Sequence, residues 1–137
     1  MLERFFRRRR AAPVPLRGAP AVHRQKTYSA QTGFVYQYFY EGWRESRLGG
    51  QAGNEHVFQV SSDRRGSFRL SVFLPRAAVD AWQRRHGQSL TATEQYAAVK
   101  MALFEAFDER TELGAGVDVD AEAIERYLAA LGIVETD

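Results

Sequence analysis

The stretch GFVYQYFYEGW, residues 33–43, decides the fold. Six of its eleven residues are aromatic, and aromatic side chains fit the pleated, half-buried surface of a strand. Phe34, Tyr36, Tyr38 and Tyr40 alternate onto one face, and Val35, Gln37, Phe39 and Glu41 onto the other. Gly33 and Gly42 mark its ends, where a bend or bulge is expected. The residues that follow, RESRLGGQAGN, read as a Gly-rich loop. A second strand is expected over His56–Ser61. SDRRGS, residues 62–67, has Asp63 and Gly66 placed for a type I turn. A third strand over Phe68–Leu74 points Phe68, Leu70, Val72 and Leu74 inward and Arg69, Ser71 and Phe73 outward. Short connections make these three strands an antiparallel meander.

Downstream the apolar period changes to that of helices. Pro75 opens a helix that Gly87 stops, with Val79 and Trp82 toward the core. Thr91 and Glu94 have the spacing of a capping box, and the helix Ala92–Glu109 carries Tyr96, Val99, Leu103 and Phe107 on one stripe. Asp118 or Asp120 caps a last helix through Leu131, and Gly132 fits a Schellman ending with Ile133 packed back on Leu128. A strand run followed by a helix run predicts α+β, with about three helices on one face of the sheet. The sequence divides into a Pro/Arg-rich arm, residues 1–26, and one domain, residues 27–137.

Charge divides the chain as well. Residues 1–27 carry a balance of +7, residues 28–90 of +3 and residues 91–137 of −8, within a net charge of +2. Unlike ends suit an interaction protein. Seventeen of the nineteen cations are arginines, a bias that a GC-rich genome also produces. In the arm, Arg4, Arg7, Arg8, Arg9, Arg10, Arg17, Arg24 and Lys26 form a polyanion-binding set, with Phe5 and Phe6 beside them. On nucleic acid such contacts release counterions. On an anionic membrane each cation contributes about 1 kcal/mol, and each Phe about 1.5–3 kcal/mol when fully buried. A cleaved organellar presequence and a solvated tail are the other two readings of this segment. Met1, Leu2, Phe5 and Phe6 have helical spacing opposite Arg4, Arg7 and Arg8, in a segment too short to hold a helix unaided. Pro13, Pro15 and Pro20 keep residues 11–22 extended.

The rest of the chain excludes more than it assigns. There is no cysteine, so no disulfide and no thiolate ligand. No apolar run reaches the roughly 20 residues that span a bilayer. The Gly-rich stretch lacks the phosphate-loop pattern, and the acidic 108–122 region is not expected to form an EF-hand loop. His23, His56 and His86 have no ligand spacing and read as ordinary polar side chains. Tyr36, Tyr38 and Tyr40 invite an RNA-stacking reading. Yet Thr32, Val35 and Gln37 break the RNA-recognition signature, and packing under Tyr96, Phe104 and Phe107 explains the rings. One feature resists a purely structural account: Phe39, Val57 and Phe73 fall on the side of the sheet away from the core, an expected interface for a partner.

These observations point to a non-enzymatic binding or assembly module, an accessory subunit of a larger complex or a homo-oligomer, with no cofactor and no metal. Its arm contacts nucleic acid, an anionic membrane surface or a partner protein. The expected location is the cytoplasm, with a membrane periphery or a large assembly as the alternative setting. A small enzyme or ligand-binding domain is the alternative, its pocket lying between the sheet and helix 92–109. A buried polar cluster near Tyr36, Gln37 and Tyr38 would favour that alternative.

Overall fold

In a computed structural model, residues 14–62, 66–110, 112–114 and 116–133 are described. Arg4, Phe5, Phe6, Arg7, Arg8, Arg9 and Arg10 lie outside them, as does the centre of the 62–67 turn. Among the described residues the fold is α+β: a five-stranded mixed sheet with three helices. The strands are β1 (Lys26–Ser29), β2 (Val35–Leu48), β3 (Gln51–Ser62), β4 (Gly66–Pro75) and β5 (Val117–Asp118), in that spatial order. The first four are antiparallel, and β5 runs parallel to β4. The helices are α1 (Arg76–His86), α2 (Ala92–Glu109) and α3 (Ala121–Ala130).

The meander of β2, β3 and β4 agrees with the sequence, and three departures correct it. First, the expected loop after Trp43 is strand: β2 runs to Leu48 and β3 starts at Gln51. Only Gly49 and Gly50 turn, with φ of 58° and 83°, the positive pair that a two-residue type I′ hairpin needs. Second, β1 adds a fourth antiparallel strand, paired Lys26 to Tyr38 through Ser29 to Val35. Third, the expected loop 113–117 ends in β5, where Val117 pairs with Val72 and Asp118 with Phe73.

A bulge sits in β2. Tyr40 pairs with Phe58 and Gly42 with Val57, so Glu41 is the extra residue. One inserted residue reverses the alternation, and Trp43 comes to the face that carries Tyr40. Gly42 has φ 129°, and a Cβ there would meet the Arg17 carbonyl at 2.5 Å. Glycine is therefore required both by its conformation and by the close approach of another chain segment.

The core lies between the sheet and the helices. Tyr36, Phe58, Val60, Leu70 and Val72 are buried on the inner face, against Val99, Leu103 and Phe107 of α2. Phe107 stacks on Tyr36 with ring centroids 4.2 Å apart. Tyr38 meets Phe104 edge-on at 5.9 Å. Trp82 of α1 and Ile124 and Leu128 of α3 complete the core; on α1 Ala78 is buried as well, and Val79 packs partly buried against the core as expected. The helix ends follow local chemistry. Thr91 and Glu94 form both bonds of the capping box, and the Asp120 carboxylate caps α3 by accepting from Ala123 N–H. Gly132 N–H donates to the Ala129 carbonyl and Ile133 N–H to the Leu128 carbonyl, which is the Schellman pair.

Candidate functional site

The sheet, helix α2 and the end of the arm line a half-open cavity of about 620 Å³. Its floor is the inner face of β2 and β3, with Tyr38, Tyr40 and Trp43 on one strand and Asn54 and His56 on the other. Trp43 reaches this floor only because of the bulge. The first half of α2 forms one wall, through Thr93, Gln95, Tyr96 and Lys100. The second wall is the end of the basic arm: Gly18, Pro20, Val22 and Arg24, continuing into Lys26 of β1.

That arm segment is a strap laid along the free edge of β2. Arg17 N–H donates to the Trp43 carbonyl at 2.8 Å, and Trp43 N–H donates to the Arg17 carbonyl at 2.9 Å. The Arg17 guanidinium lies 5.1 Å from the centre of a Trp43 ring, a cation–π distance. His23 stacks on Phe39 at 4.4 Å, and Gln25 donates to the Gln37 side chain at 3.0 Å. The Arg44 guanidinium donates to the Val14 carbonyl at 3.2 Å.

Two polar features stand inside the cavity. Tyr40 Oη and His56 Nδ1 are 2.9 Å apart. His56 is 7% exposed, and burial holds its pKa down to about 4, since a desolvated imidazole resists a charge. At neutral pH the ring is uncharged, and the hydrogen bond joins the Tyr40 hydroxyl to a neutral imidazole. Burial likewise pushes the Tyr40 hydroxyl above its ordinary range. The second feature is Lys100. Its ammonium lies 5.5 Å from the Tyr38 ring, 5.4 Å from Tyr96 and 5.4 Å from Phe104. Burial, and then the nearby Lys26, lower its pKa.

The electrostatics have one sign. Arg24, Lys26 and Lys100 line the cavity, and among the described residues no carboxylate does. The start of α2 contributes its positive end as well, at the Asn54 and Gln95 end of the cavity. Its one acidic residue there, Glu94, is turned back to accept from Thr91 N–H at 3.0 Å.

Of the residues singled out in the sequence, Arg24 and Lys26 line the cavity and Arg17 anchors the strap. Of the outer-face residues, Phe39 also lines the cavity, and Val57 and Phe73 lie elsewhere. Val57 is 1% and Phe73 5% exposed, while Phe39 is half-buried under His23. Phe73 lies over Gly53, where a Cβ would stand 2.8 Å from the ring. Around them run side-chain links: Arg44 to Glu55 at 2.9 Å, Ser71 to Glu55 at 2.5 Å and Arg69 to Glu41 at 2.8 Å. Gln37 is exposed; the buried polar pair near the sheet is Tyr40–His56. Trp43, Asn54, Gln95 and Lys100 carried no motif. Lys100 alone left a trace, as a cation one turn past Tyr96 on the apolar side of a helix.

No family model, curated protein or solved structure matches the chain. Among the described residues no group of His, Asp and Glu could hold a metal ion, and no helix is long and apolar enough to cross a membrane.

Proposed function

We propose that this domain is a small-molecule-binding module, and that the cavity between the β2–β3 floor and α2 takes an organic anion. The carrying observation is the lining, which among the described residues has three cations, no carboxylate and a set of aromatic rings. A mostly apolar concavity with a few convergent polar groups is what a ligand site requires. Binding is favoured over catalysis because the His56 ring is a weak base at neutral pH, and its Nδ1 is engaged by Tyr40. An anion placed by Lys100 and Lys26 would relieve their mutual repulsion, which is why the ligand's charge is assigned as negative.

The test is titration with an anionic aromatic dye, anilinonaphthalene sulfonate, followed by dye fluorescence. The K26Q/K100Q double variant should bind it at least about tenfold more weakly, and added salt should weaken the wild type more than the variant. Unchanged affinity in the double variant, with an unchanged melting curve, would sink the reading.

The arm supports a second role. With a balance of +7 in residues 1–27, the segment Arg7–Arg10 suits a polyanion or an acidic partner, and the domain would then act as an accessory subunit. Pull-down with full-length and arm-deleted protein, with and without nuclease, tests it: equal recovery from both chains removes the arm from recognition.

A further inference from the structure

The cavity is chemically polarised along its length. At one end, Lys26 stands opposite Tyr38 in the β1–β2 register, and Lys100 lies over the same Tyr38 ring. At the other end, His56 pairs with Trp43, and Asn54 follows two residues along β3 on the same face. Helix α2 runs the opposite way alongside, so that Gln95 and Thr93 fall at the Asn54 end and Lys100 at the Tyr38 end. Five strand residues separate Tyr38 from Trp43, about 16 Å at ~3.3 Å each. Eight helical residues separate Ala92 from Lys100, about 12 Å at ~1.5 Å each. The cavity is thus long, with two ammonium groups at one end, hydrogen-bonding side chains beside the start of α2 at the other, and aromatic rings between.

We infer that the anion held here is a mononucleotide, with its phosphate at Lys26 and Lys100 and its base at Asn54, His56 and Gln95. This rests on the anion-binding reading above and narrows it. Phosphate suits two ammonium groups that point-charge recognition can serve. Carboxamides carry paired donor and acceptor atoms that match a base edge. Gln95 spends its Nε2–H on the Leu90 carbonyl at 3.2 Å, which leaves Oε1 to accept from an exocyclic amine. Trp43 and Tyr96 supply ring surface for stacking. The competing ligand classes fit worse. An alkyl carboxylate would lay its tail on Asn54, His56 and Gln95 and strip them of water without replacing their hydrogen bonds. A bare inorganic anion leaves the aromatic middle empty. An uncharged aromatic leaves three cations without a counter-charge.

The experiment is isothermal titration of the full chain with the four common 5′-mononucleotides, ribose 5-phosphate, adenosine, octanoate and benzoate. At least one mononucleotide should bind at least tenfold more tightly than ribose 5-phosphate, octanoate and benzoate. Lys100→Gln should weaken that nucleotide about tenfold and leave the nucleoside unchanged. Asn54→Ala should weaken nucleotide and nucleoside by the same factor. If octanoate, benzoate or ribose 5-phosphate binds as well as every nucleotide, the base assignment falls while the anion site stands. If none of the anions binds, both fall. The panel on unaltered protein decides the matter even where a variant folds poorly.

Discussion

His56 is the residue where burial and chemistry meet most directly. The unfolded chain takes up its proton near pH 6.5, and the folded chain only near pH 4. Between those values the unfolded state binds more protons, so stability falls as the pH drops through that window. The loss should approach about 3 kcal/mol at pH 4, at ~1.4 kcal/mol per pH unit. Above pH 6.5 the histidine contributes no slope. Urea melts at pH 7 and pH 4.5 should show this loss in the wild type and a shallower one in His56→Gln; parallel losses would mean that the ring takes a proton in the folded state. Gly53 gives a second prediction at this scale. A Cβ there meets the Leu74 carbonyl at 2.5 Å and Pro75 Cα at 2.8 Å, both backbone. Gly53→Ala should cost about 1–3 kcal/mol as overpacking, read from the denaturation midpoint, and a neutral substitution would contradict that fit. The sequence shows neither role. A lone histidine has no spacing to read, and a glycine in GGQAGN is read as part of a turn until the aromatic partner across the sheet is known.

At the scale of elements, helix ends were legible and short strands were not. A capping box, a stop glycine and a Schellman pair use residues within one turn of each other, so Thr91, Gly87, Asp120 and Gly132 identify themselves. Strands β1 and β5 have four and two residues, too few for a period of two to register. They exist because neighbouring edges offer hydrogen bonds, a tertiary cause. The polar stretch Arg44–Leu48 looked like loop for a related reason: its strand character comes from the Gly49–Gly50 turn, not from its side chains. Helix α2 follows its pattern most closely, and its stripe buries Val99, Leu103 and Phe107 as expected. Phe107→Ala removes a fully buried ring stacked on Tyr36 and should cost about 3–5 kcal/mol. A cost under ~1 kcal/mol in chemical denaturation would show that α2 packs through another face.

At the scale of the molecule, the arm's last twelve residues belong to the site more than to a tail. The strap could not be seen in the sequence, because Pro-rich, mostly exposed residues carry no core pattern, and its partner Trp43 reaches it only through a bulge. Deleting residues 1–13 should leave the melting curve and dye binding of the wild type. Deleting residues 1–25 removes a cavity wall and should weaken dye binding at least tenfold while the remaining domain still melts cooperatively. Equal binding by both truncations would exclude the strap from the site. The acidic end, in turn, is partly matched inside the fold: Arg126 meets Glu105 at 3.1 Å and His86 meets Glu125 at 2.9 Å.

The Arg17–Trp43 bridge also protects the protein from itself. Strand β2 is 14 residues long, and β1 covers only Val35–Tyr38 of its outer edge. An aromatic strand with open amide groups is a template for another copy's strand, the first step toward fibrils. Arg17 occupies the next pair of those groups, and Arg44, Glu45 and Arg47 put charge on the stretch beyond. A chain that has lost its strap should therefore differ from the intact one in shelf life as well as in binding, forming thioflavin-positive aggregates at concentrations where the intact protein stays clear.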